Sequence, residues 1–217
     1  TCIGFGGFGI TYKAYDQILG VIVAIKEFYP AGLVNRSPGE TQIGVLSGER
    51  MGEYQIQLER FLLEAENIAQ FGKAKDIVNV FDIIHENGTA YIIMEYIQGI
   101  LLKDYMENEG KLDIETSLYL IMPIIEALKK IHGCGIIHRD ISPDNIFITN
   151  DGAIKVFDFG AAIFADEKKE TASVAVVKEG YAPPEQYRSK SKQGAFSDIY
   201  SVGAILYQMV TGIKPPE

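Results

Sequence analysis

Three short blocks carry the side chains best suited to chemistry: His138-Arg139-Asp140-Ile141-Ser142-Pro143-Asp144-Asn145, then Asp158-Phe159-Gly160, then Ala182-Pro183-Pro184-Glu185. A carboxylate such as Asp140 can orient an attacking hydroxyl and accept its proton. Asn145 and Asp158 offer hard oxygen ligands of the kind Mg²⁺ takes when it bridges phosphates. The order and spacing of the blocks agree with a phosphoryl-transfer site. The bland alternative, carboxylates in ordinary solvated loops, needs all the blocks to fall in this order by chance.

A second set of candidates lies near the start. Gly4, Gly6 and Gly9, with Gly7 between them, form a G-x-G-x-x-G pattern, which is weak alone because dinucleotide folds use a similar spacing to open a helix after a strand. Here strand-like residues flank the glycines on both sides, so a backbone without side chains can close over phosphates. A glycine-rich hairpin with no ligand remains the alternative. Val23-Ala24-Ile25-Lys26 follows, and it puts an ammonium where the glycine loop would hold phosphate. A buried lysine needs an anionic partner to stay charged, and Glu64 is the candidate. Taken singly, a strand-end lysine is usually a solvated charge and a helix glutamate a surface residue.

These residues need elements to hold them. Alternation predicts strand, turn and strand around the glycines, and the β-branched run 21–26 predicts a third strand. Residues 29–52, rich in Pro, Gly, Ser and Arg without sustained periodicity, read as a long loop. Helical spacing of Leu58, Phe61, Leu62, Ala65, Ile68 and Ala69 predicts an amphipathic helix over 54–71. Strands are expected at 77–84 and 90–96, joined by a hairpin turn at Glu86-Asn87-Gly88. Beyond Gly99 the pattern changes to helices at 101–108 and 116–132, a short hairpin at 146–149 and 154–156, a charged loop-like stretch at 166–179, and an apolar helix at 198–211 stopped by Gly212. The boundary is therefore placed near Gly99, dividing 1–98 from 99–217.

With 217 residues, 47% hydrophobic and 23% charged, the composition is that of a globular protein and leaves little room for disorder or collagen-like repeats. A net charge of -9 opposes binding to nucleic acid or to an anionic membrane. The two cysteines, Cys2 and Cys134, form no CxxC pair, which suits a reducing compartment and predicts a cytoplasmic location. No apolar run reaches the roughly 18 to 20 residues of a membrane helix, and no signal peptide is visible. The chain opens at Thr1 directly into the glycine cluster and reads as a fragment of something longer, whose ends could hold an anchor.

Together these blocks make the sequence resemble the eukaryotic-type protein kinases along its whole length. Gly6-Gly7-Phe8-Gly9-Ile10-Thr11-Tyr12 and Tyr181-Ala182-Pro183-Pro184-Glu185-Gln186-Tyr187 are most similar to bacterial serine/threonine kinases. The resemblance implies an α+β, two-lobed fold with a small antiparallel sheet lobe carrying one helix and a larger, mainly helical lobe, the latter incomplete here. It implies ATP and Mg²⁺ as cofactors and proteins as substrates. Lys26 would contact the α- and β-phosphates and pair with Glu64, Asp140 would be the catalytic aspartate, and Asn145 and Asp158 would hold Mg²⁺. Met94 would be the gatekeeper, Glu95 and Ile97 would offer hinge backbone groups to adenine, and Ala24 and Phe147 would sandwich its ring. Phe159, His138 and Ile68 would stack in a hydrophobic column, and Asp198 would brace the catalytic loop. His85 and His132 read as structural.

Several positions depart from that family's pattern. Ser142 stands where a lysine is usual, so a cation aimed at the transferring phosphoryl group is missing. Lys178 stands where a threonine hydroxyl usually reaches the catalytic aspartate. Lysine and hydroxyl thus read as exchanged, which predicts Lys178 Nζ within reach of Asp140 or the γ-phosphate and Ser142 supplying the hydroxyl; a surface lysine is the alternative. Lys26 and Glu64 are 38 residues apart because 29–52 is a longer insertion than usual, either a cover for the helix, a partner site or, most commonly, a mobile linker. Thr11 replaces an adenine-packing valine. The chain ends at Glu217, so Glu185 is expected to lack its usual arginine partner, and exposed apolar surface is expected to favour self-association. Thr171 and Ser173, near Lys168, Lys169 and Glu170, are candidate phosphorylation sites whose phosphate would pair with Arg139. Three readings result: a Ser/Thr protein kinase, a nucleotide-binding pseudokinase favoured by Ser142, and a small-molecule phosphotransferase disfavoured by Arg139 and the Ala182–Glu185 block.

Overall fold

The computed structural model describes residues 1–6, 9–72, 74–164, 177–188 and 191–216. Gly7 and the candidate phosphorylation sites Thr171 and Ser173 lie outside the described residues. The chain divides into two compact units, Thr1–Gly72 with Asn79–Ile97, and Lys73–Val78 with Gln98–Glu217.

In the first unit β1 (Cys2–Gly6), β2 (Gly9–Asp16) and β3 (Val21–Phe28) run antiparallel as the alternation predicts. β4 (Val34–Asn35) and β5 (Gly44–Val45) form a small separate pair, α1 spans Met51–Ala69, and β6 (Val80–Glu86) and β7 (Thr89–Glu95) complete a five-stranded sheet in the order β1-β2-β3-β7-β6. Asn87 and Gly88 both take positive φ, 55° and 72°, the backbone a two-residue hairpin turn of this hand requires. Phe28, Tyr54, Phe61, Ala65, Ala90 and Ile92 form the core between α1 and the sheet.

The insertion after β3 is not a mobile linker. Leu33, Val34 and Ile43 are buried in that same core, the β4–β5 pair folds the segment back on itself, and the amide of Ile43 donates to the carbonyl of Asn87 at 2.9 Å. Three apolar side chains spaced ten residues or fewer apart show no period of 2 or 3.6, which is why pattern alone reads the segment as loop.

In the second unit β8 (Gly99–Leu101), α2 (Leu102–Glu109), α3 (Ile114–Gly133) and β9 (Ile136–Ile137) precede a hairpin of β10 (Ile146–Thr149) and β11 (Ile154–Val156); β12 (Ile163–Phe164) and α4 (Ala195–Thr211) follow. β8 pairs with β10, and β12 with β9. Asp113 caps α3 by accepting from the amide of Thr116 at 2.8 Å, and Gly212, at φ 73°, ends α4 in the left-handed conformation glycine tolerates. Ile124, Leu128, Ile131, Ile136, Ile146 and Ile205 are fully buried, the apolar stripes of α3 and α4 meeting the short strands. Residues 73–78 join this unit although the change of pattern falls later. Val156 donates its amide to Asp76 O at 2.9 Å and accepts from Val78 at 3.0 Å, and Lys130 Nζ lies 2.6 Å from Asp76 Oδ2.

Candidate active site

In the first unit Lys26 Nζ lies 2.7 Å from Glu64 Oε1. Lys26 sits on β3 and Glu64 on the buried side of α1, where only 6% of the glutamate is exposed. A carboxylate so placed needs a hydrogen-bonded cation to remain ionised, and removing either partner would strand the other charge. Register puts Thr11 opposite Lys26 and Ala24 opposite Met94, so four residues expected around a nucleotide occupy adjoining positions on β2, β3 and β7. Glu95 follows at the end of β7, its amide donating to Asn79 O at 2.9 Å and its Oε2 accepting from Asn79 Nδ2 at 2.9 Å; Ile97 lies just beyond. Gly4 and Gly6 lie on β1, and Gly6 faces Gly9 across the hairpin. A Cβ on Gly9 would sit 2.3 Å from the carbonyl oxygen of Glu27, so close strand approach alone demands glycine there.

The second unit holds the carboxylates. His138, Arg139 and Asp140 follow β9, and the buried Asp198 of α4 pins them: its carboxylate accepts from the amides of His138 at 2.9 Å and Arg139 at 2.8 Å. His132 Nε2 also lies 2.7 Å from Asp198 Oδ2, a partner that sequence spacing does not reveal. Gln186 adds a bond to Arg139 O at 2.6 Å. Arg139 and Asp158 hold positive φ, 68° and 63°, an uncommon backbone for side chains of this size that surrounding contacts must maintain. His138 is fully buried and its ring meets Phe159 at 4.7 Å between centroids; burial holds its pKa below the usual value, with Asp198 and Asp158 opposing. Ile68 is buried in the first unit.

Asp140 is held by one oxygen. Asn145 Nδ2 donates to Asp140 Oδ2 at 2.7 Å and to Asp140 O at 2.9 Å, while Asp140 Oδ1 has no hydrogen-bond partner among the described residues. Burial pushes the Asp140 carboxyl from 3.8 up to about 6; Asn145 and Lys178 pull it down, and Asp158 and Asp144 push it further up. An oxygen with no donor, on a carboxyl whose proton affinity lies near neutrality, is suited to take up a proton. Phe147, on β10, packs against Phe157 at 5.1 Å between centroids.

The expected exchange of Ser142 and Lys178 takes a different form. Lys178 Nζ contacts Asp144 Oδ2 at 2.9 Å, and Lys103 Nζ lies 3.4 Å from Asp144 Oδ1. Burial alone would raise the Asp144 pKa, but the two lysines outweigh it and hold it below the usual range. Lys178 is therefore bound by Asp144, two residues after Ser142, and acts on Asp140 through its field. Ser142 supplies no hydroxyl to Asp140: its backbone is extended, φ -155° and ψ 162°, and its buried Oγ has no partner among the described residues. Glu185 accepts from Ser197 Oγ at 2.7 Å. Neither Lys103 nor Asp144 carries a sequence signal, since their pairing is made by the packing of α2 beside the loop.

Comparison with known proteins identifies the family. The family model for the protein kinase domain matches residues 1–217. The chain belongs to the protein kinase family. Over 215 residues the kinase domain is 34% identical to a Clostridium perfringens protein named "Probable serine/threonine-protein kinase", covering 99% of this chain and 28% of that one. It is 34% identical over 220 residues to serine/threonine-protein kinase PknB of Mycobacterium leprae, covering 99% of this chain and 32% of the relative. The chain thus spans less than a third of the length of these curated relatives. A solved structure described as PpkA-294 in its apo form matches with TM-score 0.85 and 36% identity, covering all of the kinase domain and 75% of that chain. The sheet unit and the helical unit are the two lobes of the protein kinase fold. No helix among the described residues is long and apolar enough to cross a membrane.

Proposed function

We propose that this domain transfers the γ-phosphoryl group of ATP to serine or threonine hydroxyls of proteins. The observation that carries the reading is Asp140: one carboxylate oxygen fixed by Asn145 and the other without a donor among the described residues. In the proposed step Asp140 Oδ1 takes the proton of the substrate hydroxyl as its oxygen bonds to the γ-phosphorus. The bond from that phosphorus to the β–γ bridging oxygen breaks, and ADP leaves with the electron pair. Lys26, kept charged by Glu64, binds the α- and β-phosphates. The glycine strands, Thr11, Ala24, Met94, Glu95, Ile97 and Phe147 are assigned to the nucleotide on the strength of the family match.

Asn145 commits its Nδ2 to Asp140; its side-chain carbonyl oxygen and the Asp158 carboxylate are hard oxygen ligands of the kind that would hold Mg²⁺. When bound, the ion neutralises charge on the β- and γ-phosphates. Lys178 is proposed as the cation that offsets the absent catalytic-loop lysine, presented from Asp144. Regulation through phosphate on Thr171 or Ser173, paired with Arg139, is proposed from sequence position; alanine at both with undiminished activity would dismiss it.

Incubation with radiolabelled ATP, Mg²⁺ and casein, followed by phosphoamino-acid analysis, tests the reading. Label on serine or threonine supports it, and label on free small alcohols but no protein would reverse it. Ser142 favours a pseudokinase as second reading, which predicts nucleotide binding with no Lys26-dependent transfer.

A further inference from the structure

The insertion between β3 and α1 contacts the core under α1, the β6–β7 turn and β3. Its apolar residues Leu33, Val34 and Ile43 fill the core against which Tyr54 and Phe61 pack. Its Ile43 amide donates to Asn87 O at 2.9 Å, and the neighbouring carbonyl, Gly88 O, accepts from Tyr54 Oη of α1 at 2.7 Å. The β6–β7 turn is thus held by the insertion on one carbonyl and by the helix on the next. At the insertion's far end Arg50 donates to Gly32 O, closing the segment just before α1 begins. A second tie runs to the sheet. Arg36 donates to Glu27 Oε1, and Tyr12 Oη donates to Glu27 Oε2 at 2.9 Å. Glu27 is only 2% exposed and immediately follows Lys26.

We infer that residues 29–50 are an internal brace, with Ile43 and Arg36 as positioning residues, that holds α1 where Glu64 meets Lys26. The inference rests on the kinase reading for its catalytic consequence and on the geometry of the first unit alone for its structural one. Ile43 and Phe61 sit in the same apolar cluster, and Phe61 is three residues before Glu64 on α1, so loss of the brace reaches Glu64 through less than one turn of helix. The Arg36–Glu27–Tyr12 chain fixes the insertion to β2 and β3, the strands that carry Thr11 and Lys26.

Hydrogen–deuterium exchange and ATP kinetics on the intact chain test this together. In Ile43→Ala and Arg36→Ala, amides of α1 and of the β6–β7 turn should exchange about tenfold faster while those of β2 and β3 stay protected. The KM for ATP should rise several-fold, Arg36→Lys should restore most of it, and in a Glu64→Gln background neither substitution should raise KM further. Unchanged α1 exchange in both variants overturns the inference, and so does a KM effect that adds fully to that of Glu64→Gln. If Ile43→Ala fails to fold, Arg36→Ala with its lysine rescue decides the outcome. A parent chain with no phosphoryl transfer would sink the kinase reading while the exchange result still judges the brace.

Discussion

Replacing Asp140 by Asn should abolish phosphoryl transfer and at the same time make the protein more stable at neutral pH. Burial lifts the Asp140 carboxyl from 3.8 to about 6, so holding it ionised near pH 8 costs the fold about 3 kcal/mol, at about 1.4 kcal/mol per pH unit. Asparagine keeps an oxygen for Asn145 Nδ2 and carries no charge to desolvate, so much of that cost should be returned. About 2 kcal/mol corresponds to a rise in Tm of about 4 to 8 °C for a chain of this size. The sign follows from linkage. The folded pKa is raised, so the penalty is absent below about pH 3.8, grows as pH rises toward 6, and is complete above it. The advantage of Asp140→Asn should therefore be greatest near pH 8 and shrink toward zero as pH falls to about 4. Thermal denaturation of both proteins across that range, without nucleotide or metal, is the assay. A variant less stable than the parent near pH 8, or an advantage that does not vary with pH, would refute the reasoning.

Three further outcomes are expected. Asp198→Ala leaves the buried amides of His138 and Arg139 without their acceptor and should cost about 2 to 5 kcal/mol, read as a lowered urea midpoint, with transfer activity reduced as the loop loosens. Gly9→Ala, whose Cβ meets Glu27 O at 2.3 Å, should destabilise the first unit by about 1 to 3 kcal/mol, seen in a lower Tm even with no nucleotide present. Lys178→Ala should lower kcat by about 10- to 100-fold with little change in the KM for ATP, and Ser142→Lys in that background should recover part of it; equal effects on kcat and on ATP affinity would count against a role in the transition state.

Much of this molecule was legible because its information is local. Alternation gave β2 and β3, helical spacing gave α1, α3 and α4, and Asn87-Gly88 marked a hairpin turn through the backbone only such residues adopt readily. The Lys26–Glu64 pair was legible from residue type, since a strand-end lysine near phosphate-binding glycines needs an anion. What stayed hidden is tertiary. Leu33, Val34 and Ile43 carry no period, yet they are core. β8, β9 and β12 are two or three residues long, too short for any pattern to show. The ion pair of Lys178 with Asp144 depends on how the chain returns past residue 177, and His132 finds Asp198 across 66 residues of sequence. Ser142 has an extended backbone and a buried hydroxyl, which residue type could not disclose.

Asp140, one oxygen without a partner among the described residues and its loop held through Asn145 and Asp198, is proposed as the proton acceptor of a phosphoryl transfer. Single-turnover transfer from ATP to a serine peptide, followed as a function of pH in the presence of Mg²⁺, tests it most directly. The expected result is a rate that falls as acidity protonates Asp140, and a rate in Asp140→Asn lower by several orders of magnitude without that dependence. A parent and variant that share the same rate and the same pH profile would contradict it.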